Sequence, residues 1–265
     1  MSVSAYVGGL GLLGPGLPNW PDTAAILSGV RPYQPATTVL PLPTILPAAE
    51  RRRIGRVVKL TLAVALEATS QTGENPAGLA SVFSSSGADG QNCHELCQAL
   101  SLPGREISPT RFANSVHNAA SGYWSIATGA TPQSNVLCAF DASFCAGLLE
   151  ALTQVAVDRI PVLLVAYDSE YPQPLHAKRP VPDVFGVAMV LTPQRRESSL
   201  ARLEAALTGA SHDRLTDPAL EALRSAIPAA RSLPLLRLLA TRSCGAAILE
   251  YLDVSRMEVQ VEPCT

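Results

Sequence analysis

Two uninterrupted apolar runs, 161–167 (PVLLVAY) and 185–191 (FGVAMVL), constrain this chain most. A strand with water on one face alternates apolar and polar residues; a strand that is apolar throughout is covered on both faces. The chain must therefore hold a sheet between two other layers. Further strands are predicted at 79–84 and 136–140. Helices are predicted at 91–100, 119–128 and 143–157, with a loop or short helix over 108–118. Strands alternating with helices predict a layered α/β fold. Hydrophobic residues make up 47% of the 265 positions and charged residues 16%, so the apolar material for such a core is present.

The flanks read differently. A strand at 3–7 runs into Gly8, Gly9, Gly11, Gly14 and Gly16, which predict a loop. Eight prolines between 15 and 47 predict an extended arm with a short helix near 23–27. A strong helix is predicted over 48–68, where Ile54, Val57, Val58, Leu62, Ala65 and Leu66 recur at helical spacing behind Arg51, Arg52, Arg53 and Arg56. From 198 onward, the segments 198–207, 217–230 and 233–252 are rich in Ala, Leu and Arg and predict helices, with a closing strand at 257–261. The expected organisation is an α/β domain over 1–195 and a mostly helical extension over 196–265.

Several function classes are set aside. A net charge of −2 gives no bulk attraction to nucleic acid or anionic lipid. No apolar run approaches the roughly 20 residues that span a bilayer, and the N-terminus lacks a basic region followed by a continuous apolar one. The six cysteines show no scaffold spacing. The expectation is a reduced, soluble, cytoplasmic protein without a membrane span. Cys93, His94 and Cys97 lack a fourth ligand, and Gly8, Gly9 and Gly11 are followed by prolines rather than a phosphate-binding helix. Neither a metal nor a cofactor is expected.

The chemistry-bearing feature is the passage from the strand at 136–140 into the helix that begins near 141–143. Such turns at the carboxyl edge of a sheet are where nucleophiles sit, and a cysteine there has a lowered pKa. This turn carries Asp141, with Ser143 and Cys145 following. Asp141 reads as a helix N-cap. Cys145 reads as a small buried hydrophobe, and Ser143 has no assignable base.

The order SPTRF, SVHNAASGYWSIATGA, strand, DASFCAGLLEAL resembles the N-terminal half of the β-ketoacyl synthases of the thiolase-like superfamily, over about residues 1–195. The short synthase-like chain-length-factor proteins of aryl polyene pathways carry a similar signature. Active synthases have a Cys-x-Ser turn here. Matching Ser143, Leu148 and Ala151 to that family's pattern puts Asp141 at the cysteine. The family's two C-terminal histidines are not matched either: 198–252 holds only His212.

The resemblance implies a thiolase-like layered α-β-α half-fold, a mixed sheet with helices on both faces, plus a helical C-terminal tail. It implies a subunit without independent 3-oxoacyl-[acyl-carrier-protein] synthase activity, paired with a full-length ketosynthase and meeting an acyl carrier protein. Phe112, His117, Asn118, Trp124, Phe140 and Phe144 would line the cleft or face the partner. Two alternatives stand beside it: a small acyltransferase or thioester hydrolase using Cys145 or Ser143, and a carrier-binding scaffold using Arg51–Arg53.

Overall fold

The computed structural model describes residues 2–264. Eight strands form one mixed sheet in the order β3-β2-β4-β5-β1-β6-β8-β7. They are β1 (Val3–Leu13), β2 (Ala80–Ser84), β3 (Ser134–Leu137), β4 (Val162–Asp168), β5 (Phe185–Thr192), β6 (Ala201–Thr208), β7 (Gly245–Glu250) and β8 (Arg256–Pro263). The helices are α1 (Trp20–Leu27), α2 (Ala48–Arg51), α3 (Arg56–Ser70), α4 (Gly90–Ser101), α5 (Pro109–Ala113), α6 (Ala119–Thr128), α7 (Ser143–Asp158), α8 (Pro218–Ala226) and α9 (Leu233–Thr241).

The expected double coverage holds. β3, β2 and β4 run parallel, and β5 lies antiparallel to β4 and β1. Val82, Leu164 and Met189 face a core shared with α7, whereas Phe83, Leu163, Val165 and Val190 face a second core shared with α3 and α6. The segment Phe140–Asp158 is long and apolar enough, by length and composition, to cross a membrane. Phe144, Leu148, Leu152 and Val155 within it are fully enclosed, which is how the central helix of a layered core reads.

The glycine-rich start is not a loop. β1 continues through Gly8, Gly9 and Gly11 to Leu13, with an irregularity between Val7 and Gly9. A Cβ on Gly9 would lie 2.2 Å from the Ala68 carbonyl oxygen, and one on Gly11 2.0 Å from that of Val64. The glycines let α3 lie directly on the strand. β6 pairs with β1 only as far as Val7. Beyond it α3 serves the strand backbone: the Leu10 N–H donates to Gln71 Oε1 at 3.2 Å and the Leu12 N–H to Glu67 Oε2 at 2.9 Å. Glu67 Oε1 also accepts from the Trp20 N–H at the start of α1, at 2.7 Å.

Two further expectations are corrected. The helix predicted over 48–68 is broken between α2 and α3, where Gly55 is the extended N-cap of α3. The tail is mixed rather than mostly helical: α8 falls within the predicted helix 217–230, but three strands share the segment. β6 occupies the predicted helix 198–207, and the segment 233–252 divides into α9 and β7. Ala and Leu favour helix, but here they fall with period two. Ala201, Leu203 and Ala205 point into the core, while Arg202 and Glu204 turn outward and pair at 2.8 Å. Pairing with β1 and β8 overrides the intrinsic preference. The α/β sheet thus runs on past residue 195.

Candidate functional site

β3, β2 and β4 end together at their carboxyl edge, and the turn at 138–143 rises from it. β3 stops at Leu137, so Phe140 lies beyond the strand. Phe140 adopts φ 51°, a left-handed conformation that bulky residues rarely take and that the surroundings must hold. Ser143 supplies part of that hold. Its Oγ donates to the Phe140 carbonyl at 2.7 Å and accepts from the Ala139 N–H at 3.0 Å. A hydroxyl occupied on both sides is a brace, and Ser143 is buried.

Asp141 does not cap α7, whose start has no side-chain cap bond. Its carboxylate is held by two guanidinium groups instead, Arg179 at 2.6 Å and Arg231 at 3.0 Å. The two arginine side chains are only 19% and 18% exposed. Arg231 also reaches Glu250 at 2.7 Å. Glu250 in turn meets His212 at 3.1 Å and the enclosed Arg224 at 3.5 Å, and Arg224 pairs with Glu221 at 2.7 Å. The elbow is therefore the end of a charge chain running through the C-terminal quarter. Arg179 turns its guanidinium over the Phe140 ring at 3.8 Å.

A second tie lies beside it. Asp168, at the end of β4, is fully enclosed. It accepts from the Ser86 N–H at 2.8 Å, the Ser86 hydroxyl at 2.5 Å and the Ala229 N–H at 2.8 Å. Burial pushes its carboxyl up to about 6, against those hydrogen bonds and the Arg179 charge.

Cys145 is completely buried and its thiol donates to the Glu250 carbonyl at 3.2 Å. Burial drives its pKa far above the ordinary thiol value, so it supplies no thiolate. Of the expected cleft residues, Phe112, Asn118 and Phe140 are exposed and His117 is half-buried. His117 hydrogen-bonds the backbone of Ser85, and burial lowers its pKa. That contact sets His117 by the carboxyl end of β2, while Asn114 Nδ2 donates to the Arg53 carbonyl at 2.9 Å. Trp124 and Phe144 do not face outward; each fills one of this chain's own two cores, because the helices carrying them turn those faces to the sheet. The basic turns are matched in part: Arg53 pairs with Glu50 and Arg56 with Glu170 and Asp183, and nearby Arg111 pairs with Glu95.

Arg179, Arg231, Glu250 and Asp168 were not singled out in the sequence. Each is a lone charge in an otherwise ordinary stretch, and only the fold brings them together. The one available signal was a carboxylate at a nucleophile position, which needs cations to hold it.

Residues 28–244 match the family described as β-ketoacyl synthase, N-terminal domain. The chain belongs to that family. This β-ketoacyl-synthase-like chain also resembles solved structures in fold. It superposes on a chain from the complex of the ketosynthase ApeO with its chain length factor ApeC from Xenorhabdus doucetiae, with TM-score 0.73 and 22% identity, covering 97% of this chain and 99% of that one. A chain of the AntDE:AntF complex, described as a type II polyketide synthase acyl-carrier protein with its ketosynthase bound to the hexaketide, gives 0.75 at 12% identity, with 100% of both chains covered. Ketosynthase twelve of the bacillaene synthase from Bacillus amyloliquefaciens gives 0.58 at 13% identity, over 84% of this chain but 48% of that one. No curated protein matches the sequence. The synthase-like chain thus has the thiolase-like α/β fold with Asp141 at its elbow. An acceptor-only carboxylate in a double arginine clamp forms no thioester with an acyl group.

Proposed function

We propose that this chain is a non-catalytic, chain-length-factor-type subunit that pairs in the cytoplasm with an active ketosynthase during fatty acid or polyketide elongation of the aryl polyene kind. The observation that carries the reading is Asp141, fixed between Arg179 and Arg231 where a condensing enzyme needs a free thiolate. The pairing surface is the open edge of β3, the outermost strand of the sheet, whose residues are exposed or half-exposed. A short unpaired edge followed by the exposed Phe140 suits strand addition by a second subunit. The growing chain then lies between the subunits, delivered by an acyl carrier protein. Neither alternative gains a specific observation: Cys145 and Ser143 are both spoken for, and within Arg51–Arg53 the Arg53 guanidinium is paired with Glu50.

The test is co-expression with a full-length ketosynthase and its carrier, followed by mass spectrometry of carrier-bound products. The expected result is a co-purifying pair whose product length depends on this chain. Unchanged product length and yield in its absence would sink the reading.

A further inference from the structure

The elbow carries a clamped carboxylate and an unusual backbone, and the residue with that backbone is exposed. Phe140 is 62% exposed although it follows directly on β3. Its φ of 51° is left-handed, and its ring belongs to neither of the two cores. One ring face is covered by the Arg179 guanidinium at 3.8 Å, and the same guanidinium is held at 2.6 Å by Asp141. Arg231 fixes the other oxygen of Asp141 at 3.0 Å. An exposed aromatic side chain braced in this way loses little freedom when it is buried by a partner. Rigid aromatic groups of this kind are what interfaces use as anchors.

We propose that Phe140 is a preset aromatic anchor that inserts into an apolar pocket of the ketosynthase subunit, and that Asp141, through Arg179, is the positioning residue that presents it. The inference rests on the pairing reading above. The occupant follows from continuity: Phe140 is the exposed side chain three residues beyond the open β3 edge on which the partner is proposed to pair. The carboxylate at the old nucleophile position thereby gains a task of its own. It sets an interface contact rather than merely filling a vacated site.

The experiment measures the affinity of the purified full chain for a co-expressed full-length ketosynthase. It compares wild type, Phe140→Ala, Asp141→Asn and the double variant, with melting temperatures as a control on folding. Phe140→Ala is expected to weaken binding at least about tenfold with its melting temperature unchanged. Asp141→Asn is expected to weaken it several-fold alone, and to add nothing in the Phe140→Ala background, as coupled positions do. A purely structural role for Asp141 predicts additive losses instead. Wild-type binding that Phe140→Ala leaves intact overturns the anchor and spares the pairing. Additive losses overturn the positioning role. Absence of wild-type binding removes the pairing and the anchor together. Concentration-dependent self-association abolished by Phe140→Ala would reassign the pocket to a second copy of this chain and overturn the choice of occupant.

Discussion

The two sides of the sheet are built on different principles. On one side β2, β4 and β5 are buried at every position, and the elbow rises beside the carboxyl ends of β2 and β4. On the other, β6, β8 and β7 alternate buried and open residues, with β8 antiparallel to both its neighbours, and come from the C-terminal quarter. The first side supplies the site's position; the second supplies the charges that close it. Asp141 and Asp168 come from the first, and Arg231, Glu250 and Ala229 from the second. A feature that looks local to one turn is thus a joint between two halves.

That division is open to attack, most forcefully at its seam. β1 joins the halves by pairing with β5 and with β6. Gly11→Val would drive side-chain atoms into the Val64 carbonyl of α3, so the expected cost is about 3 kcal/mol or more, read as a loss in urea midpoint. Wild-type stability would show that α3 does not need the close approach.

The Asp168 tie is tested by pH. Its carboxyl titrates near 6 in the folded chain and at an ordinary 3.8 when unfolded. Between those values the folded form binds the extra proton. The group's contribution to stability is therefore complete below about 3.8 and is lost as pH rises through 6. The expected change is on the order of 2–3 kcal/mol. Denaturation from pH 4 to 7 should show this slope in wild type and a flatter one in Asp168→Asn; equal slopes would remove Asp168 as its source.

The Asp141 joint should matter less to stability, because the carboxylate is 35% exposed. Asp141→Ala leaves two mostly enclosed guanidinium groups without their shared acceptor and is expected to cost about 1–2 kcal/mol. Asp141→Cys restores a sulfur without its acid–base partners, so no condensation is expected in a carrier-based elongation assay. Measurable condensation would break the non-catalytic reading.

The smallest effect separates thiols. Cys93, Cys97, Cys138 and Cys244 are exposed and should label with iodoacetamide in the folded state, while Cys145 should not until the chain unfolds. Peptide mapping that finds Cys145 alkylated early would contradict its enclosure.

The two sides also differ in how far the sequence revealed them. PVLLVAY and FGVAMVL announce doubly covered strands because no residue in them is suited to water. β6 (ARLEAALT) contains strong helix formers, and its period of two over eight residues is drowned by composition. β1 was cut short because glycine signals a loop unless a helix lies within 2–3 Å of where its Cβ would be, which only tertiary structure reveals. At the site, the order of motifs located Asp141 and the turn. The clamp was not legible, since Arg179 and Arg231 stand 38 and 90 positions away in sequence. Trp124 and Phe144 were misplaced for a related reason: periodicity says that an aromatic residue is buried, but not whether its own chain or another buries it.

The charge chain through Arg231, Glu250 and Arg224 has a consequence for biosynthesis. A ribosome releases the parallel strands and the elbow long before it has made β7. Until then Arg231 lacks its Glu250 partner, and Cys145 lacks the Glu250 carbonyl to which its thiol donates. The nascent elbow is therefore complete in sequence before the strand that carries Glu250 can close its charge chain.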